Sequence, residues 1–360
     1  METKKIISPL SLILITMASF LFFLESAVAA RPNGTETKPV FYPSAPEKPR
    51  IQFLSTINGS NFINSNNSAY GDRFPGYTGT DAIQEANPLI KPYGIAAAKG
   101  QIFVCDSDRK QVMIFDLAHG KVDALQGLKR PINLAVDSDG TRYVVDAELK
   151  KIMIYGANNQ YVKSFGDPAT MKPISITISG DQLFYTDMAA NQVVILNKSN
   201  GKELGRIGTP GSTLGKLSAP TSLTLDAQKN IYIADTFNAR ISKFENNGKF
   251  LDTLGEMGIK FGNFVRPKGL AVDREGRIYV IDGSFENIQI FNADKQLLLF
   301  FGDVGNVRGG VNMPAQIVID YDNVEYFKKY VAKDHEIEYL IYVSNTFGEN
   351  KVNVYGFLKN

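Results

Sequence analysis

The chain of 360 residues sets 39 lysines and arginines against 37 acidic residues, and it holds two histidines, one cysteine and no tryptophan. So even a balance gives no field for nucleic acid, and a single cysteine cannot close an intramolecular disulfide. A chain of this length buries about three quarters of its unfolded surface, so packing alone can hold it without covalent staples.

Residues 1–30 begin with Lys4 and Lys5, run through apolar residues from Ile6 to Leu24, and close on small residues up to Ala30. This is the layout of a cleaved secretory signal, the alternative being an uncleaved N-terminal anchor. Export to the periplasm or the exterior is therefore expected, and no later stretch is long and apolar enough to span a membrane. Residues 31–49, rich in Pro, Thr, Glu and Lys, read as an exposed flexible tether. The run RIQFLSTING at 50–59 has the pattern of a strand. Residues 60–90 follow as a long connector with Phe62, Tyr70, Phe74, Tyr77 and Arg73.

From there the chain repeats. Pro92, Pro131, Pro173, Pro220, Pro267 and Pro314 recur at spacings of 39, 42, 47, 47 and 47 residues. Each opens a short apolar strand. A second strand follows, ending at Asp106, Asp146, Asp187, Asp235, Asp282 and Asn345. A third follows five or six residues later, as in VMIFD, VVILN and IQIFN. In the fifth copy all four strands are legible between Arg266 and Gly302. Runs this short, rich in β-branched and aromatic residues and bounded by Gly, Asp or Asn, are strands. A fixed period with four strands per unit selects a β-propeller. The expected fold is all-β, with six antiparallel four-stranded blades spanning 50–360. The sixth repeat ends on a third strand, so the strand at 51–57 should cross back and close the last blade, which removes the open edges.

The runs P-K-G-L-A-V-D to I-Q-I-F at 267–291 and IYIADTFNARISKF at 231–244 resemble NHL repeats of exported bacterial propellers. The resemblance implies a scaffold that commonly presents one face to a partner protein. It also covers lyases that hold metal through histidine and calcium-dependent lactonase-like enzymes. The residues such enzymes need are missing from the pattern. His119 and His335 both fall on the face away from the channel mouth. The ring expected there, two residues after each proline, is Gly94, Asn133, Ser175, Ser222, Gly269 and Gln316, with neither carboxylate nor histidine.

The aspartate ladder tempts as a metal ring. One carboxylate per blade at the same strand end is instead what a repeated turn-capping hydrogen bond requires. No catalytic residue, metal site or cofactor is therefore assigned, and Cys105 reads as a small buried hydrophobe. The insertion between Tyr321 and Glu338, with Val324, Phe327 and Val331 at helical spacing, reads as a short helix packed under the sixth blade. The expected working surface is the mouth face over blades one and two, a protein-binding patch of Phe62, Tyr70, Arg73, Phe74 and Tyr77 with Arg109, Lys110, Lys150 and Lys151. The channel could also take a small ligand. The alternatives are a propeller hydrolase or lyase with an unrecognised channel site, or an accessory subunit of an envelope redox complex.

Overall fold

The computed structural model describes residues 38–63 and 87–359. The leader at 1–30, the start of the tether and the connector from 64 to 86 lie outside them. The described residues form six antiparallel sheets, and the inner strands of successive sheets pack side by side around a ring, with Pro314–Asp320 meeting Pro92–Ala98 to complete it. Blades one to five occupy 92–125, 131–165, 173–207, 220–254 and 267–301, each with four strands in sequence order.

The local chemistry explains the repeat. Each inner strand opens on its proline, paired directly with the residue that ends the second strand: Pro92 with Asp106, Pro267 with Asp282, Pro314 with Asn345. A proline there forfeits no ladder hydrogen bond, because it stands at the first position of the strand. Second strands such as IYVID are buried throughout, since blades cover both of their faces. Outer strands such as KVDAL and LLLFF alternate between exposed and covered positions. The core is thus divided into six apolar clusters, one at each seam between neighbouring blades.

The N-terminal strands close the ring. Strand β1 (Val40–Tyr42) pairs with β2 (Ile51–Ile57). Strand β2 in turn pairs antiparallel with Val352–Leu358, setting Ile51 opposite Phe357, Phe53 opposite Tyr355 and Ile57 opposite Val352. The sixth blade therefore has five strands, one more than expected. Within the stretch read as a tether, 31–49, residues Val40–Tyr42 are thus a strand of the blade. Tyr42 is nearly buried against Phe301 and Tyr355, with its hydroxyl 3.2 Å from the Gly309 carbonyl oxygen and 3.3 Å from the Asp303 carboxylate. Three residues between turn signals are too few to show a period, and tertiary contacts supply what local pattern does not.

The insertion behaves as expected. Helix α1 (Val324–Phe327) buries Phe327 completely, and a 3-10 turn over Lys328–Tyr330 follows it. The Gln52 side chain donates to the Tyr330 carbonyl at 2.9 Å and accepts the Ala332 N–H at 3.0 Å, which ties the insertion to β2. Asn323 accepts the Gly100 N–H at 2.7 Å, so the same segment also fastens blade six to blade one. Cys105 is fully buried, and its thiol is pushed well up, by burial first and then by Asp106 and Asp146.

Candidate binding site at the channel mouth

The aspartate ladder is structural. Asp106 accepts the N–H groups of Ile90 and Lys91 from the connector before its blade, and those of Asp108 and Arg109 from its own turn. Asp146 and Asp282 repeat the arrangement. Each carboxylate thus locks a strand end to the chain entering the same blade, and buried amides otherwise without partners are satisfied. Asp235 departs, bonding the Asn238 side chain and the Arg240 guanidinium at 2.8 and 2.9 Å. Among the described residues no three acidic, histidine or cysteine side chains are placed to hold a metal ion.

The ring expected at Gly94, Asn133, Ser175, Ser222, Gly269 and Gln316 is one residue out of register. A bulge follows the proline in every inner strand and turns these positions sideways into the adjacent strand. A Cβ on Gly94 would lie 2.6 Å from the Asn133 Cα, and one on Gly269 would lie 3.1 Å from the Gln316 Cα. Asn133 Oδ1 accepts the Ile176 N–H at 3.2 Å. These are seam positions, and glycine at two of them permits the close approach of inner strands.

The channel is met instead by the residue directly after the proline. Lys268 of blade five places its ammonium 5.0 Å from the centre of the Tyr93 ring of blade one. The inner strand of blade six stands between those two blades, so the contact runs through the channel, past Ala315 at the equivalent position. Its small side chain leaves the way open. Tyr93 is anchored from behind, since its carbonyl accepts the Ser344 hydroxyl at 2.5 Å. Tyr93 and Ile174 pack with Ile132 in one apolar cluster, giving the first three blades a greasy wall.

Around this pair stands a ring of cations. The residue before the proline is Lys91, Arg130, Lys172 or Arg266 in four of the six blades. The carbonyls of all four accept an N–H from the turn after the ladder residue, at 2.9 to 3.1 Å, which fixes where their side chains leave the chain. None of the four, nor Lys268, has an ion pair among the described residues, and Lys91 lies over the Phe347 ring at 5.6 Å. Burial lowers the Lys268 ammonium from its ordinary 10.5 to about 8, and the positive charge of Arg266 adds to the shift. Burial raises the Tyr93 phenol, while Arg266 and Arg130 pull it the other way, so these guanidiniums act on the same point. A half-buried lysine without a counter-ion, over an aromatic face and among further cations, is arranged to receive a negative charge.

The residues expected from sequence fare unevenly. Phe62 is a correction: it is 7 % exposed and stacks on Phe327 at 5.9 Å, filling the seam between blades six and one. Arg109 is half-buried, and its guanidinium donates to the Pro88 carbonyl at 2.9 Å, holding the end of the connector. Lys110 and Lys150 are exposed, at the left-handed corner that Asn191, Ala239 and Glu286 occupy in other blades. Lys151 is half-buried at a strand start. Beside them stand Asp108 and Glu148, so the turn tips are of mixed charge. Tyr70, Arg73, Phe74 and Tyr77 lie outside the described residues. Sequence reasoning missed Lys268, Tyr93 and the residues preceding the prolines, although a basic residue before four of six repeat prolines was a signal in plain view.

The fold and its central mouth define a six-bladed β-propeller. No protein-family model matches the sequence, and no characterised protein matches it by sequence either. Solved structures do resemble it. A gluconolactonase of Xanthomonas campestris matches with a TM-score of 0.58 at 15 % identity, over 92 % of this chain and 99 % of that one. A catalytically inactive virginiamycin B lyase of Staphylococcus aureus with quinupristin matches at 0.52 and 16 % identity, over 74 % of this chain and 94 % of that one. A chain of Kuenenia stuttgartiensis hydrazine synthase matches at 0.51 and 14 % identity, over 78 % and 98 %. At such identities the likeness is one of fold.

Proposed function

We propose that this protein is an exported, NHL-type binding propeller that engages an acidic protein surface through its mouth face. The observation that supports this reading is the set of basic residues Lys91, Arg130, Lys172 and Arg266 at one repeat position around Lys268, without ion pairs among the described residues. Folding alone does not ask for such a cluster, since like charges at short range repel. It suits a partner that brings carboxylates and is drawn in by long-range attraction. The exposed Lys110 and Lys150 add polar contacts over blades one and two, where Asp108 and Glu148 make the turn tips of mixed charge.

The test is recovery of the partner from native envelope extract with the wild-type protein and with a variant carrying Arg130→Glu, Lys172→Glu and Arg266→Glu. Binding should weaken with added salt in the wild type and be lost in the variant. Equal recovery by a correctly folded variant would refute the mouth as the working face.

A second reading, a lyase or hydrolase, draws on Lys268. An amine that loses its proton near pH 8 is in the range of a general base or nucleophile. Two of the structural neighbours are named as a lyase and a gluconolactonase. Turnover of lactone or cyclic-ester substrates that vanishes on Lys268→Met would favour this reading over binding.

A further inference from the structure

Blade three breaks the ladder's pattern, and the break leaves a cavity. In blades one, two, four and five, the ladder aspartate takes the N–H of the residue two before the proline: Ile90 at 2.5 Å, Lys129 at 2.6 Å, Ser218 at 2.6 Å and Val265 at 2.7 Å. In blade three that residue is Met171, and its N–H donates instead to the Asp167 carbonyl at 3.1 Å within a local turn. Asp187 Oδ1 still accepts from Lys172, Ala189 and Ala190. Its Oδ2 has no partner among the described residues and opens onto the space beside it, although the residue as a whole is 2 % exposed.

In place of the missing amide there is a cavity of about 170 Å³ between the connector leaving blade two and the strands of blade three. Tyr185 lines it beside Asp187, is only 5 % exposed, and its hydroxyl likewise has no partner among the described residues. Burial raises the phenol, and the charge of Asp187 raises it further, so it stays protonated. Asp167 adds a second carboxylate to the wall, and Met171 contributes an apolar surface. Glu203 also lines the space, but both of its oxygens are tied to Arg206 by bonds of 2.8 Å. Arg206 lines the space too, with guanidinium N–H groups beyond those given to Glu203 and Gln192, so what stays in excess is negative charge, from Asp187 and Asp167. A carboxylate oxygen that opens onto such a recess favours a donor that carries positive charge. A divalent metal does not suit the site, because no three carboxylates are close enough to share one.

We infer that the cavity between blades two and three binds a small primary ammonium group, with Asp187 Oδ2 and the Tyr185 hydroxyl accepting its N–H bonds and Met171 covering a short alkyl chain. The site is separate from the channel mouth and opposite to it in sign.

The experiment is a titration of the intact protein with n-butylammonium, followed by chemical-shift changes, with tetramethylammonium and calcium as comparisons. Saturable binding at roughly millimolar concentration is expected for a ligand of this size. Tetramethylammonium, which has no N–H to donate, should not bind. Asp187→Asn keeps the Oδ1 acceptor for the three amides, and blade six shows that an asparagine serves there, since Asn345 Oδ1 takes the Asn312 N–H at 3.1 Å. It removes the charge and turns the free acceptor into a donor, so affinity should fall at least about tenfold. Tyr185→Phe should weaken binding severalfold. The inference is overturned if the wild type shows no saturable binding, if folded Asp187→Asn binds as the wild type does, or if tetramethylammonium or calcium competes equally.

Discussion

Replacing Lys268 by Met should make the protein more stable and a poorer binder at the same time. The folded structure holds this ammonium at about 8 instead of 10.5, chiefly by burial. A depressed lysine opposes folding wherever the unfolded chain keeps more protons than the folded one. The penalty is full below about pH 8, shrinks between about 8 and 10.5, and is gone above that window. A shift of this size is an upper bound of roughly 3 kcal/mol, and water reaching the half-buried ammonium reduces it to about 1–2 kcal/mol. Methionine keeps the length and the contact with the Tyr93 ring without the charge. Urea denaturation at pH 7 should therefore show a gain of about 1–2 kcal/mol that disappears by about pH 10.5. Anion binding at the mouth of the wild type should fall as pH rises through about 8 and be weak at every pH in the variant. A variant less stable at pH 7, or a gain that does not change with pH, would refute the reasoning.

Removing residues up to Pro46 should destabilise the protein, and Tyr42→Ala alone should cost about 2–4 kcal/mol in urea, because Tyr42 packs on Phe301 and Tyr355 at the edge of blade six. A trimmed chain as stable as the full one would show that β1 adds nothing. Asp282→Ala strands the N–H groups of Val265, Arg266, Ser284 and Phe285 and should cost about 2–4 kcal/mol, whereas Asp282→Asn should cost about half as much, as measured by urea midpoints. Cys105→Ser should lower stability by about 1–3 kcal/mol and Cys105→Val by less, and native Cys105 should resist thiol reagents until the protein unfolds.

The blades were legible because the repeat writes the same physics six times. Proline can open an inner strand without losing a bond, and the facing aspartate must cap the turn, so both recur in the sequence. Ring closure was legible too, since RIQFLSTING supplies the outer strand that the last repeat lacks. The mouth was less so. Alternation along the inner strand points to Gly94 and Asn133, but the bulge after the proline hands the channel to Tyr93 and Lys268. Phe62 looked like an exposed anchor because aromatic residues in a connector look alike whether they face solvent or a seam, and Phe327, its partner, lies far along the chain. The free oxygen of Asp187 depends on a main-chain turn at Asp167 to Met171, which no residue type in that stretch announces.

The pairing of β2 with Val352–Leu358 sets an order of events in the cell. Thr56 and Asn353 stand hydrogen-bonded at 3.0 Å yet are 297 positions apart. During synthesis, β1 and β2 emerge hundreds of residues before the strand that receives them. Five blades can stack while the sixth lacks its outer strands, and the circle is completed only after the far partner is made. Contacts of such sequence separation form late and slowly. Until then Val352–Leu358 offers a bare edge that β2 from a second molecule fits as well as its own. At high concentration during refolding, exchange of these strands between copies competes with closure, and the product is a dimer joined at blade six.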